Sequence, residues 1–449
     1  MKIMKIVLGS LVSLLLIAVL VLWLKPPELL RIGANYSAKI VCSNVFLAGR
    51  DPQEVLRDDV QAPGIAILHY MKVSVDRSAR KVHAGFFGFI GNGLAVARPD
   101  LGCTAASNGD LGFVTAAVPW STSKPPTPIW SDAEETAQPW PQGEGAAANS
   151  PFEQVIADDT LAGPGMRAIV VIDHGHLSAE RYGKGFTRKT PLLGWSMSKT
   201  VLAGLVGMLV KEGKLTLDQA GFWPAGDPRA SIRVADLLAM SSGLHFNESY
   251  GAVSDVTSML YLQPDMAAFA HDQPLDFPVG EHWSYSSGTA VLLTRIMQDA
   301  AGTGVADFGA QRLFKPLNMA SAVMEPDEHG TLVGSSYMYA NAHDWVRYGQ
   351  FLVQDGVWKD QRMLPEGYVA MMASPVKASG GQYGHGQTWL FTAKEAEGIP
   401  ADTFYLSGHD GQTMAVIPSR QIVILRMGLT PDGSGYSPQP LIKAILAAT

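Results

Sequence analysis

The sequence is poor in charged residues and in cysteine, and both shortages narrow the class of protein. Charged residues make up 17% of the 449 and hydrophobic residues 47%, which is typical of a globular chain and unlike a disordered or fibrous one. The net charge of -7 gives no electrostatic basis for nucleic-acid binding. The two cysteines form no Cys/His spacing typical of zinc sites. No G-x-S-x-G nucleophile elbow occurs, which argues against an α/β-hydrolase.

Uncharged residues are concentrated at the N-terminus. Lys2 and Lys5 precede residues 6–24, a run of 19 residues without a charge, and Lys25-Pro26-Pro27 follows it. At helical rise this run spans roughly 28 Å, about the thickness of a hydrocarbon core. No A-x-A-like cleavage site precedes Lys25, so we predict an uncleaved single-pass membrane anchor rather than a cleaved signal peptide. Basic residues flank both ends, and charge counting therefore does not fix the orientation.

The two cysteines, Cys42 and Cys103, both follow this apolar run. An even pair fits an oxidising compartment, and a bond between them would contribute on the order of 4 kcal/mol in the chain-entropy model. Two buried free thiols are the alternative. Together with the anchor, the pair favours a periplasmic or extracellular body tethered to a membrane.

Composition and periodicity divide the chain into four parts. We predict an anchor with its flanks over residues 1–30, an accessory region over 31–119, a Pro/Gly/Ala-rich linker over 120–150 and a catalytic domain over 151–449. No internal repeats occur. In the accessory region, residues 35–59 indicate a connector and a helix, and 64–75 and 81–97 indicate paired strands.

In the last part, strand-like segments lie near both ends and helix-like segments lie between them. This pattern predicts an α+β fold, with an antiparallel sheet built from both terminal segments and an all-α lobe. The predicted strands cover residues 168–173, 177–182, 412–418 and 421–427, and the predicted helices cover 234–240, 254–262, 289–301, 306–313, 341–355 and 438–448.

An S-x-x-K tetrapeptide places Ser196 and Lys199 one helical turn apart at the start of an apolar run. A serine hydroxyl needs a neighbouring base to become a nucleophile, and Ser-Lys pairs are one recurrent solution. The same spacing occurs at 121–124 and 374–377, but prolines at or beside those matches disfavour a helix. An N-cap serine beside a solvated lysine is the alternative interpretation of the first match.

Two further segments carry polar groups suited to this chemistry. Tyr285 and Ser287 lie in a Tyr-Ser-Ser triplet before an apolar helix, where a tyrosine beside an ammonium can shift towards phenolate and shuttle a proton. Residues 407–412 open a strand, and glycines there let backbone N–H groups approach a ligand. A core tyrosine and a simple turn are the alternatives.

In this order, the three segments resemble the penicillin-recognising serine hydrolase superfamily, which includes class C β-lactamases, D,D-peptidases and related esterases. Within it, the chain is most similar to the branch of 6-aminohexanoate-oligomer hydrolases. The resemblance covers residues 150–449 and implies the β-lactamase/transpeptidase-like fold. The matching residues are Ser196-Met197-Ser198-Lys199, Tyr285-Ser286-Ser287 and His409-Asp410-Gly411.

The resemblance implies that Ser196 is acylated and that Lys199 is its base, with a pKa lowered by burial or by cationic surroundings. It also implies that Tyr285 takes and returns the proton passed towards the leaving group. Ser287, His409, Asp410 and Gly411 would line the substrate site. The N–H groups of Ser196 and Gln412 would form the oxyanion hole. The implied cycle uses no metal or organic cofactor.

Two departures from the family pattern bear on the substrate. Ser287 replaces the asparagine of a Tyr-x-Asn motif, and His409-Asp410-Gly411 replaces Lys-Thr-Gly, with Asp410 expected to repel a β-lactam carboxylate. We therefore expect hydrolysis of a small-molecule or short-peptide amide or ester, with Tyr250 as a candidate gate. A D,D-peptidase or weak β-lactamase acting on cell-wall peptides is the first alternative, and a non-catalytic penicillin-binding-like module is the second.

Overall fold

The computed structural model describes residues 2–107, 109, 140–141, 145, 150–302, 308–431 and 433–449. Most of the predicted linker at 120–150, and the first residues of the helix predicted at 306–313, lie outside these residues. The chain forms two compact units. The first, called the N-terminal unit, comprises Met1–Arg98, Gly102–Trp120 and Ser249–Pro264, and the remainder forms the C-terminal unit.

Helix α1, Lys2–Leu24, contains the apolar run predicted from the sequence. Residues Ile3–Leu24 are long and apolar enough to cross a membrane, and none of the window is buried inside the protein. Lys25 and two prolines follow, and α2 starts at Glu28. Because proline lacks an N–H and restricts the residue before it, this dipeptide separates the two helices.

Helix α2, Glu28–Phe46, packs on a four-stranded antiparallel sheet of order β1-β2-β3-β4. The strands are β1 (Met71–Asp76), β2 (Lys81–Phe86), β3 (Ile90–Arg98) and β4 (Gly102–Ala105). A Cβ added at Gly93 would overlap the backbone of Ala34, so this glycine permits the close approach of strand and helix. Cys42 of α2 and Cys103 of β4 are joined by a disulfide.

Two predictions for this unit need correction. The connector expected from residue 35 is wrong, because α2 is continuous to Phe46 and its small polar residues are buried against the sheet. The strand expected over 81–97 is two strands, because the chain turns at residues 87–89. Helix α3, Pro52–Val55, continues into a π-helical turn over Leu56–Gln61, and a 3₁₀ helix covers Ala66–Tyr70.

Segment Ser249–Pro264 lies within the predicted catalytic domain but packs with the N-terminal unit. Its helix, Asp255–Leu262, contacts α2. The Asn35 side chain donates to the Tyr261 carbonyl at 2.8 Å, and the Tyr36 and Tyr261 rings meet edge to face at 5.6 Å. These contacts join residues more than 200 positions apart, which local sequence pattern does not reveal.

The C-terminal unit is built on a six-stranded antiparallel sheet of order β12-β13-β14-β15-β5-β6. Strands from both ends of the segment meet where β15 pairs with β5, Leu425 opposite Val170. Alternate residues such as Ile169 and Val171 enter a core with Ile424 and with Leu441 of the last helix. The strands are β5 (Met166–Asp173), β6 (His176–Tyr182), β12 (Trp389–Leu390), β13 (Phe404–Gly408), β14 (Gln412–Ile417) and β15 (Ile422–Gly428).

The helices of the C-terminal unit lie mainly between β6 and β12 in the sequence, as predicted for an α+β fold. Two short sheets lie among these helices in the sequence. One has three strands in the order β7-β9-β8, and the other pairs β10 with β11. These strands are β7 (Leu192–Leu193), β8 (Val323–Met324), β9 (Met338–Ala340), β10 (Val357–Trp358) and β11 (Gln361–Arg362). Numbered through both units, the helices are α4 (Phe152–Ala157), α5 (Asp159–Ala162), α6 (Met197–Lys211), α7 (Val234–Leu238), α8 (Asp255–Leu262), α9 (Met266–His271), α10 (Ser287–Ala301), α11 (Ala342–Val353), α12 (Tyr368–Met372) and α13 (Gln439–Ala447), with a π-helical turn at Ala310–Phe314.

Candidate active site

A strained turn presents Ser196 at the N-terminus of α6. Trp195, directly before it, has a φ of 48°, a left-handed conformation that costs a bulky residue free energy and that clusters at functional sites. The Gly194 N–H donates to the Met338 carbonyl at 2.9 Å. A Cβ added at Gly194 would overlap the ring of Trp345, so only glycine fits between β7 and that ring. These contacts thereby hold the backbone directly before Ser196 in place.

Lys199 lies beneath Ser196 on the first turn of α6 and is only 1% exposed. Its Nζ is 2.9 Å from Ser196 Oγ, 3.0 Å from Ser287 Oγ and 3.0 Å from the Ser335 carbonyl oxygen. Ser196 occupies the N-cap position, but its side chain makes no capping hydrogen bond. The interpretation as a helix cap and a solvated lysine is therefore wrong.

Burial lowers the pKa of the Lys199 amine to about 8, the direction expected from the sequence, while the charge of Glu248 opposes that shift. At this pKa roughly a tenth of the amine is free base at pH 7. The group can therefore exchange a proton near neutral pH, which an exposed lysine cannot do.

Tyr285 contacts both members of the pair. Its hydroxyl is hydrogen-bonded to Ser196, and Lys199 Nζ lies 4.7 Å from the centroid of its ring. Burial, together with the negative charge of Glu248, raises the pKa of this phenol above its ordinary value, and the hydrogen bond to Ser196 only partly offsets the rise. The predicted shift towards phenolate is therefore wrong in direction, because burial and the negative charge of Glu248 both favour the protonated phenol. Tyr285 is a proton donor at neutral pH.

Glu248 is a site residue that the sequence analysis missed. Its carboxylate accepts a 2.6 Å hydrogen bond from Ser287 Oγ and a 2.8 Å bond from the Ser287 N–H at the start of α10. A helix N-terminus favours such a negative charge. Because Ser287 also accepts from Lys199, the three side chains form a chain of carboxylate, hydroxyl and amine. Lone glutamates in loops are common, and no local signal distinguished this one.

The His409–Gln412 segment forms the turn between β13 and β14. The His409 ring meets Trp195 edge to face at 5.7 Å, which places it beside the Ser196 turn. A Cβ added at the preceding Gly408 would overlap the Gly194 carbonyl. Gln412 is buried, and its amide donates to the carbonyls of His409, Asp410 and Gly428. The turn is thus held by hydrogen bonds and packed directly on the turn that precedes Ser196.

Asp410 and Gly411 are tied into the protein interior. Asp410 is 4% exposed, and His409 Nε2 lies 3.5 Å from its carboxylate. The Gly411 carbonyl accepts from Arg426 Nη1 at 3.0 Å. A buried carboxylate does not present its charge on an open surface, so the expected repulsion of a substrate carboxylate by Asp410 is not supported by its position.

A cluster of three aromatic rings packs against Tyr285. The rings of Trp283, Tyr383 and Trp389 lie 5.4–6.5 Å from the Tyr285 ring. Trp389 and Trp283 are partly exposed, whereas Tyr383 is buried. Such a wall favours apolar groups next to the phenol. Within the described part of the chain, no group of three or more His, Cys, Asp or Glu residues could hold a metal ion.

The sequence profile of the Beta-lactamase family matches residues 154–434, more than half of the chain. The chain belongs to the Beta-lactamase family. This confirms the resemblance to the penicillin-recognising serine hydrolases and the α+β fold that it implied. The family is one of hydrolases, and its matched region contains the Ser196, Tyr285 and His409 segments.

Solved structures of β-lactamase-family type share the fold of this chain. A protein of Bacillus anthracis assigned as a 6-aminohexanoate-dimer hydrolase is 19% identical, with a TM-score of 0.55 over 66% of this chain and 80% of that one. A family VIII carboxylesterase is 16% identical, with a TM-score of 0.55 over 68% and 99%. A penicillin-binding protein homolog of Caulobacter crescentus is 16% identical, with a TM-score of 0.53 over 68% and 99%.

A curated relative, an uncharacterized protein of Alkalihalophilus pseudofirmus, is 21% identical over 192 residues, or 36% of this β-lactamase-family chain. The chain spans 57% of the length of that relative. The structure brings Ser196, Ser287 and Tyr285 into contact with Lys199, and the His409 ring lies against Trp195. Tyr250 belongs to the N-terminal unit, and its gating role stays a prediction.

Proposed function

We propose that this member of the Beta-lactamase family is a serine hydrolase that cleaves an amide or ester bond through an acyl-enzyme on Ser196. The observation that carries the proposal is that the Ser196 hydroxyl contacts both an amine with a lowered pKa and a phenol with a raised pKa. Lys199 has a pKa of about 8, and the phenol of Tyr285 has a raised pKa. Pairs of titratable groups whose environments push their pKa values apart mark acid and base assignments.

In the proposed acylation, the free amine of Lys199 accepts the proton of Ser196 while Oγ bonds to the substrate carbonyl carbon. The tetrahedral intermediate collapses by breaking the bond to the leaving nitrogen or oxygen, which takes the Tyr285 proton. The proton held by Lys199 then returns to the Tyr285 phenolate, so both groups end acylation in their starting protonation states. Water attacks the acyl-enzyme in the second half of the cycle and regenerates Ser196.

The oxyanion of each intermediate needs donors that are already in place. We assign this role to the N–H groups of Ser196 and Gln412. Ser196 heads α6, where the first N–H groups have no partner within the helix. Gln412 follows the turn that packs on Gly194.

The proposed substrate is a small, uncharged amide or ester with an apolar group next to the scissile bond. The rings of Trp283, Tyr383 and Trp389 beside Tyr285 support an apolar neighbour. The similarity to a 6-aminohexanoate-dimer hydrolase and to a carboxylesterase is consistent with both bond types. A lysine of the Lys-Thr-Gly kind, which would pair with a β-lactam carboxylate, is replaced by His409.

We also propose that α1 is an uncleaved membrane anchor and that the body lies outside the cytoplasm. The length and full exposure of Ile3–Leu24 support the anchor. The Cys42–Cys103 disulfide supports an oxidising compartment.

Labelling with a fluorophosphonate tests the proposed nucleophile. We expect one adduct per chain, located on Ser196 by peptide mass spectrometry. Its hydroxyl contacts the base Lys199 and is partly exposed, whereas the other hydroxyl on Lys199, that of Ser287, is fully buried and bonded to Glu248. Ser198, two residues away, donates to the Trp195 carbonyl at 2.7 Å and is fully buried, so it serves as the internal control. An adduct on Ser198, or none in folded protein, would contradict the mechanism. Slow or absent labelling by benzylpenicillin separates the proposal from the D,D-peptidase alternative.

Glu248→Gln tests the newly found carboxylate. Removing its charge is expected to lower the pKa of Lys199 further, because Glu248 raises it, and the rising limb of kcat/KM against pH should move to lower pH. Replacing a charged acceptor of the Ser287 hydrogen bonds by a neutral amide should also reduce the maximal rate by about tenfold. Glu248→Asp, which keeps the charge, should leave the limb near its original pH. An unchanged limb in Glu248→Gln would show that the carboxylate does not act on Lys199.

A further inference from the structure

Exposed hydrophobic side chains outside α1 are few and unevenly distributed. Among the described residues, six large hydrophobic side chains beyond α1 are exposed, namely Ile65, Tyr70, Phe87, Phe89, Val253 and Phe277. Three of the six are aromatic residues at one end of the N-terminal sheet, with Tyr70 51%, Phe87 55% and Phe89 47% exposed. Aromatic residues exposed together usually mark a contact surface rather than chance exposure.

These three residues, here called the aromatic tip, occupy the turn between β2 and β3 and the residue before β1. The Phe87 N–H donates to the Tyr70 carbonyl at 2.9 Å, which links the two parts. The Tyr70 ring lies 5.7 Å from Phe86 and 5.5 Å from Phe87. Phe87 is held at a φ of 52°, a conformation unfavourable for a bulky residue, yet its ring faces solvent.

The aromatic tip lies next to the end of α1. Gly91, two residues after Phe89, is so close to α2 that an added Cβ would lie 2.8 Å from the Leu30 carbonyl and 3.0 Å from the Ala34 Cβ. Leu30 is in the first turn of α2, only six positions after the last residue of α1. Helix α1 itself contacts β3. The aromatic tip therefore lies beside the C-terminal end of the apolar helix α1.

The residues around this level have the composition of a membrane interface. Trp23, near the end of α1, is 47% exposed, and the exposed Lys25 follows it. Lys72 is exposed on β1, and its Cβ would lie 3.6 Å from a Cβ added at Gly88 in the tip. Tryptophan, tyrosine and lysine are the side chains enriched at the boundary between hydrocarbon and water.

We propose that Tyr70, Phe87 and Phe89 insert into the interfacial layer of the lipid bilayer that α1 crosses, as a second membrane contact. This inference rests on the proposed anchoring by α1. A single helix leaves the body free to rotate and tilt about the Pro26-Pro27 connection. Two contacts fix the orientation of the N-terminal unit against the membrane.

The test uses the full chain reconstituted into phosphatidylcholine/phosphatidylglycerol vesicles. Phe87→Cys and Phe89→Cys are each labelled with a nitrobenzoxadiazole fluorophore, and the native cysteines do not react because they are joined to each other. The matched control is Arg77→Cys, an exposed position in the turn at the other end of the β1-β2 hairpin. Six strand residues separate the two ends, roughly 20 Å.

We expect spin-labelled lipid to quench the fluorophore at positions 87 and 89 at least threefold more than at 77, and aqueous iodide to show the reverse order. Flotation of the vesicles measures insertion of α1 separately, and fluorophosphonate labelling checks that each variant is folded. If the protein floats with the vesicles but iodide quenches the fluorophore at 87 and 89, the membrane contact of the aromatic tip is refuted and the anchoring by α1 stands. A chain that does not float overturns both. If neither quencher reaches the fluorophores at 87 and 89, and this protection is lost when the protein is diluted, a second copy of the chain covers the aromatic tip. That result also overturns the proposal.

Discussion

Replacing Ser196 with alanine is expected to lower kcat/KM for an activated ester on the order of 10³-fold or more, because the proposed acyl-enzyme cannot form. The hydroxyl is the only side-chain group of this turn that contacts both Lys199 and Tyr285 among the described residues. The substitution removes a single hydroxyl from a partly exposed residue. The free energy of unfolding should therefore change little, and the loss should appear in the rate.

Ser198→Ala is the matched control for this experiment. Its hydroxyl is two residues away, is fully buried and bonds to the Trp195 carbonyl, so its loss affects packing of the same turn without removing the proposed nucleophile. We expect activity within about tenfold of the original, since a neutral hydrogen bond contributes about 1 kcal/mol. If both variants lost activity equally, the turn geometry rather than the Ser196 hydroxyl would be the cause. If Ser196→Ala kept most of its activity, the acyl-enzyme proposal would be wrong.

The parts of the site that sequence could predict are those encoded within a few residues. The Ser196–Lys199 spacing fixes both side chains on one helix face, and the apolar run that follows identifies the helix. The glycines and polar residues at 407–412 mark the turn that the structure places beside Trp195. The strand pairs at the two ends of the C-terminal unit were predictable for the same reason, because alternation of apolar residues is a local pattern.

Contacts over long sequence distances were not predictable in this way. Glu248 acts on Ser287, 39 positions later, and nothing in its own surroundings indicates a buried partner. The raised pKa of Tyr285 depends on how much water the fold removes, whereas sequence shows only that an amine is near. Helix α2 was missed because its interior is made of small and polar residues, among them Asn35, whose side chain bonds to Tyr261.

Lys199→Met is the second change with a large expected effect, and it separates the base from the rest of the site. Methionine fills similar volume in a position that is 1% exposed, so the protein should fold, while no amine is left to accept the Ser196 proton. We expect a loss on the order of 10³-fold in kcat/KM at pH 8. Lys199→Arg should be as inactive, because a guanidinium stays protonated at every accessible pH.

The pH dependence of the unmodified protein decides whether Lys199 acts as this base. Burial lowers its pKa from 10.5 to about 8, so the amine is free above pH 8 and protonated below it. The required form is the free amine, and kcat/KM should therefore rise with pH to a plateau above an apparent pKa near 8. The limb should be absent from the residual activity of Lys199→Met, and it should shift to lower pH in Glu248→Gln. A limb that persists unchanged in Lys199→Met would belong to another titrating group. The free energy of unfolding of each variant, measured in urea, serves as the control that the loss of activity is not a loss of folded protein.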